Sequence, residues 1–226
     1  MKQTVLALLF LWAITVFTLS GCTRSDMRVP LGAVTSIHSG SLERFKDNAW
    51  TAVTPGNKLF AGDRLRTNDT GYAVITLDRI GRFLLAGSSE YEVGTDAADF
   101  RSFLRKGSIW YYSLLSKGGK MNISTFTAVA GARGTAFSVI TNDEGTDVCT
   151  CDGTVDFAAR NGAAFPVRAG RFSMIKKGER TGEGGDGKRL LAQLRKGDLR
   201  GYGICLRCHQ DGKKPNDITL QSQAGT

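Results

Sequence analysis

Histidine is nearly missing from this chain, with two in 226 residues, and proline numbers only four. With so little imidazole, no nucleophile–base pair is evident: His38 stands in an expected turn, far in sequence from any motif. Paired acids such as Asp143-Glu144 fall in turn sequence and read as solvent-facing, and nothing resembles a phosphate loop. A sustained apolar period of helical spacing is also lacking. Beyond the first two dozen residues, no stretch reaches the roughly 20 apolar residues that span a bilayer. Acidic residues are outnumbered, 21 against 30 Lys and Arg, for a net charge of +9. The positives are nonetheless scattered through "DRLRTND", "FLRKGS", "VRAGRF" and "KRLLAQLRKGDLR". Without an aromatic-interleaved basic groove, the charge reads as a solvated surface attracted to anionic lipid head groups or glycans. A nucleic-acid partner is not expected.

What is present begins with "MKQTVLALLFLWAITVFTLSGCTRSD". Lys2 supplies a positive start, residues 5–18 are apolar and uncharged, and small residues precede Cys22. This is the pattern of a secretory signal, expected to end at residue 21. The closing Leu19-Ser20-Gly21-Cys22 resembles the lipobox of bacterial lipoproteins. That resemblance implies cleavage before Cys22, diacylation of its sulfur and acylation of its nitrogen. Each buried methylene contributes roughly 0.8 kcal/mol, so such an anchor would hold firmly to a membrane. Residue 23 is Thr rather than the Asp associated with inner-membrane retention. The outer membrane, on its periplasmic face, is therefore the expected location.

Gly is abundant, at 28 residues, which with scarce proline suits many tight turns between strands. From Gly32 onward, runs of four to six residues rich in Val, Ile, Leu, Phe and Tyr are cut by "AGD", "NDTG", "DRIG" and "AGSS". Ala73, Ile75 and Leu77 alternate with Tyr72, Val74 and Thr76. Such punctuation predicts an all-β sandwich, barrel or stack. Residues 141–145 and Asp152-Gly153 read as hairpin turns. Gly62 and Gly134 are expected where the backbone needs positive φ or close approach. Asp63 is expected to accept N–H bonds in its turn, and Arg66, Thr67, Arg133 and Thr135 to satisfy loop carbonyls and amides between layers.

Four ordered segments carry a family resemblance. "PGNKLFAGDRLRTNDTGYAVITL" resembles the opening half of a FecR-like domain, the periplasmic module of ferric-citrate sensing proteins. "TAVAGARGTAFSV", "VCTCDGTVDF" and "FPVRAGRFSMI" resemble its later hallmarks, so that the likeness covers residues 34–176. It implies a FecR-like β-sandwich or stacked-strand module. The sensor proteins also carry a cytoplasmic anti-sigma segment and a membrane helix. Here a cleaved leader is expected instead, so a sigma-factor partner is not. A tethered, non-enzymatic binding or assembly part is the reading this favours.

The remaining cysteines are Cys149 and Cys151 in "DVCTCDG", and Cys205 and Cys208 in "GYGICLRCHQDGKKP". In a strand Cys149 and Cys151 share a face, opposite Val148 and Thr150. The tail has the C-x-x-C-H spacing of haem c attachment, with two thiols for the vinyl groups and His209 as iron ligand. The polar tail is too small to cover a porphyrin alone, so the β domain or a redox partner would form the other wall. A Cys205–Cys208 disulfide remains an alternative, as does a zinc site drawing on Cys149, Cys151, Cys205 and Cys208, or including His209. The expected organisation is a signal peptide over 1–21, a tether over 22–31, the β domain over 32–178, a linker with a short helix over 179–203 and the tail over 204–226. In that linker "GEGGDG" is flexible in composition, and "KRLLAQLRK" could form about two helical turns with Leu190, Leu191 and Leu194 on one side, enough to dock on the sheet.

Overall fold

The computed structural model describes residues 28–95, 99–115, 119–176 and 179–181. The all-β expectation is borne out: every regular element is a strand. In order these are β1 (Gly32–Ser39), β2 (Leu42–Lys46), β3 (Ala49–Ala52), β4 (Lys58–Leu59), β5 (Arg64–Thr67), β6 (Tyr72–Leu77), β7 (Gly81–Leu85), β8 (Glu90–Glu92) and β9 (Asp99–Ser113). They continue as β10 (Lys120–Ser124), β11 (Ala128–Ala132), β12 (Ala136–Thr141), β13 (Gly145–Asp152), β14 (Thr154–Ala159), β15 (Phe165–Arg168), β16 (Phe172–Lys176) and β17 (Glu179–Thr181). The last lies in the stretch expected to be linker.

Two layers result. Sheet A runs β4-β1-β6-β7-β9-β12-β13-β16-β17, antiparallel throughout. Sheet B runs β3-β2-β5-β8-β9-β10-β11-β14-β15, antiparallel except for the parallel β9–β10 pair. Strand β9 belongs to both: Phe103 and Leu104 pair with β8, whereas Ile109 and Trp110 pair with β7. The crossing is made at Gly107, with φ of 87°. A Cβ there would overlap Ser89, so the site needs glycine for space as well as for backbone angle.

Alternate residues of both sheets point inward. Ile75, Leu77, Phe83, Tyr111 and Phe137 from sheet A meet Leu65, Tyr91, Phe100, Leu104 and Phe157 from sheet B in one core. Phe83 sits at its centre, with Tyr91, Phe100 and Tyr111 rings at 5.7, 5.8 and 4.8 Å. Offset aromatic contacts of this kind add about 0.5–1.5 kcal/mol each beyond burial. The Tyr111 hydroxyl donates to the Ile80 carbonyl at 2.7 Å, and burial pushes it up to about 12.

Small polar residues staple the layers where the chain changes sheet. Thr67 Oγ1 donates to the Ala86 carbonyl and accepts from Ser89 N, while Ser89 Oγ donates to the Ser108 carbonyl and accepts from Ser108 N. Elsewhere Thr146 Oγ1 meets the hydroxyls of Thr125, Thr127 and Thr141 at 2.7, 2.6 and 3.0 Å. That cluster joins the end of the β10–β11 hairpin in sheet B to the β12–β13 hairpin in sheet A. Buried hydroxyls answered this way avoid the desolvation cost of unpaired ones.

Candidate functional site

Asp63, 6% exposed, accepts the Phe60 N–H at 3.0 Å, as expected for its turn. Its carboxylate also meets Arg44 at 3.3 Å and Arg28 at 3.7 Å. Gly62 and Gly134 have φ of 78° and 61° with open space around them, so backbone angle alone selects glycine there. Thr67 satisfies groups between layers, as anticipated. Three neighbours do not. Arg66 pairs with Glu43 on the outer face of sheet B, because β5 alternation turns it away from the interior. Arg133 is exposed, and the buried Thr135 hydroxyl makes no hydrogen bond.

Two turn assignments also change. His38 lies within β1, bonded to Ser36 Oγ at 2.9 Å and edge-on to Tyr72. Pairing with β6 extends β1 to Ser39, and Gly40, at φ 60°, makes the turn. Asp152-Gly153 is a corner rather than a hairpin: β13 pairs with β12 and β16, whereas β14 pairs with β11 and β15. Residues 141–145 do form a hairpin, with Asn142 Oδ1 accepting from the N–H groups of Glu144 and Gly145.

The two outer faces differ in chemistry. Sheet B presents a ladder of charges and rings. Arg64 bonds Glu90 at 2.6 Å, and Arg105 bonds Glu92 at 3.0 Å. Arg66 lies 4.3 Å from the Trp50 ring centroid and Arg64 5.0 Å from that of Phe45. Phe45 and Trp50 themselves pack at 5.2 Å. On the same sheet, Lys120, Asn122, Arg133 and Asp156 border a depression of about 200 Å³, smaller than the roughly 300–1,000 Å³ of ligand pockets. Sheet A instead presents an apolar cluster distinct from the core, formed by Val74, Leu84, Trp110 and Ala136 with Tyr72, Tyr112 and Cys151 around it. Cys149 is buried and stands in register with Ser138, itself opposite Trp110. Val148 belongs to the core, and Thr150 Oγ1 donates inward to the Val167 carbonyl. The two thiols therefore share the outer face, as strand geometry predicts.

Asp147 flanks this face. Burial and the neighbouring Glu144 push its carboxyl up to about 6, with Lys176 opposing. No motif marked it, since its environment depends on strands that pair far apart in sequence. Cys22, Cys205, Cys208 and His209 lie outside the described residues. Among the described residues, no three His, Cys, Asp or Glu side chains are grouped to hold a metal ion. No helix among them is long and apolar enough to cross a membrane.

Residues 63–156 match the FecR protein family. The FecR match runs from the Asp63 turn to the middle of β14. A crystal structure of a candidate anti-sigma factor from Parabacteroides distasonis aligns with a TM-score of 0.50 at 13% identity, over 66% of this chain and 74% of the other. A second crystal structure of a candidate anti-sigma factor from that organism gives 0.49 at 14% identity. There the alignment covers 58% of this chain and 63% of the other. At this identity the likeness concerns the fold. A search of curated proteins finds no significant match.

Proposed function

We propose that this protein is a lipid-anchored FecR-like module of the bacterial outer membrane, facing the periplasm and working by holding an envelope partner rather than by catalysis. The observation that carries the non-enzymatic part is how the motif side chains are used. Asp63 closes a turn against Arg44 and Arg28, and Thr67 staples two strands across a corner. Gly134 turns the chain. None of these three is left poised toward a substrate. The Arg64, Arg66, Phe45 and Trp50 ladder on sheet B suits a partner with both anionic and apolar groups. In this reading the anti-sigma role of the structural relatives is not carried over, because at 13% identity the likeness concerns the fold alone.

The anchor is tested by labelled palmitate. The chain should incorporate label and fractionate with the outer membrane, whereas Cys22→Ser should remain an unlabelled, uncleaved precursor. Label retained in Cys22→Ser would sink the proposal.

A second reading rests on the spacing Cys205-Leu206-Arg207-Cys208-His209. Cys205 and Cys208 would hold haem c through thioethers and His209 would ligate its iron, supplying one-electron chemistry or haem-based sensing. Protein from a host able to mature c-type cytochromes should then show a Soret band that Cys205→Ala with Cys208→Ala abolishes. Haem colour persisting in that double variant would rule these attachment sites out. Intact mass of the same sample separates acyl chains, haem, zinc and a Cys205–Cys208 disulfide in one measurement.

A further inference from the structure

A sandwich of two sheets buries one face of each and leaves the other to water, so its strands alternate between buried and open residues. Sheet B obeys this. In β11 and β15 every second residue is buried, and in β9 Phe100, Ser102 and Leu104 are buried between more open neighbours. Sheet A does not. All six residues of β12 are buried, and within the sheet A half of β9 so are Ser108, Ile109, Trp110 and Tyr111 in succession. Outward residues at the middle of β6, β7 and β9 are nearly as closed as the inward ones: Val74 is 1% exposed, Leu84 2% and Trp110 7%. Strands buried on both faces belong to a sheet with a layer on each side. Among the described residues, all seventeen strands are accounted for by the two sheets.

We propose that the C-terminal segment of this same chain, centred on residues 188–196, is the layer that covers the outer face of sheet A. The chain leaves the described structure at β17, the edge strand of that sheet. From β17 to β9 is four strand spacings, roughly 19 Å. The six residues of "GEGGDG" before Lys188 can span about 20 Å when extended, which is enough to reach Trp110. In the segment that follows, "KRLLAQLRK", helical spacing would bring Leu190, Leu191 and Leu194 to one side. Its length as a helix, roughly 13 Å, matches the width of the Val74–Leu84–Trp110 patch across about three strands. Charge is complementary as well. Lys188, Arg189, Arg195 and Lys196 flank the leucines, while Asp143, Glu144 and Asp147 stand at one end of the face, and Asp147 Oδ1 is buried with no hydrogen bond. Docking also brings the Cys205–His209 tail to the side of the sandwich that bears Cys149 and Cys151. The inference is independent of haem and of lipid.

The test uses the full mature chain with Trp50→Phe, so that Trp110 is its one remaining tryptophan. Acrylamide should quench Trp110 weakly, and Leu190→Asp with Leu194→Asp should raise the quenching constant several-fold while far-UV circular dichroism keeps its strand signal. Quenching that is strong from the start, or unchanged by the double substitution, overturns the proposal. A photo-crosslinker at exposed Arg82, on the same outer face, checks it without disturbing the segment. Crosslinks to residues 182–203 of the same chain support it. Crosslinks to a second copy, to residues 22–27, or to neither overturn it.

Discussion

The carboxylate of Asp63 answers one backbone amide and two guanidinium groups inside a buried turn. Removing it strands the Phe60 N–H and leaves Arg44 without its counter-charge. Asp63→Ala should therefore cost about 2 kcal/mol or more of unfolding free energy in urea, with Asp63→Asn costing less because one acceptor remains. Asp147 acts in the opposite sense. Its native carboxyl binds a proton up to about 6, whereas an unfolded aspartate does so only to about 3.9. The native state thus holds the extra proton between those values, and this group lowers stability as pH rises from about 4 to about 6. Asp147→Asn should flatten the melting temperature over that interval and raise it at neutral pH. Both roles follow from neighbours distant in sequence, which is why "AGD" was legible as a turn while Asp147 passed unmarked.

At the scale of elements, the alternation of Ala73, Ile75 and Leu77 with Tyr72 and Thr76 made β6 readable, and the inward three do enter the core. Val74 is the exception, buried on the other side. A one-face pattern cannot announce a second covered face, because valine fits either environment. Turns were harder. Asp152-Gly153 and the residues at 141–145 share the same chemistry, yet one turns between sheets and the other within a hairpin. Of the two glycines only Gly153 takes a positive φ, of 77°, whereas Gly145 has no room for a side chain against the Ile175 carbonyl, a contact made by the pairing of β13 with β16. The crossing at Gly107 is the element most sensitive to a side chain. Gly107→Ala combines a positive φ with overlap on Ser89, so it should cost more than about 1 kcal/mol and lower the thermal midpoint.

For the whole molecule, the asymmetry of the two faces matters more than net charge. One face is a solvated ladder of arginines, acids and rings, and the other is closed and apolar. The FecR match ends at residue 156, but β15, β16 and β17 continue both sheets beyond it. The folded unit is therefore larger than the matched segment.

Because β9 is hydrogen-bonded within both layers, it serves as a spine and not as a border. Neither plate can melt and leave its fellow whole, since each would strip the strand its fellow needs. Emission from Trp50 at one rim and Trp110 on the opposite sheet should accordingly lose native signal at a single urea concentration when read in the matching single-tryptophan variants. Such all-or-none behaviour leaves no half-opened form to accumulate and be cut by a protease.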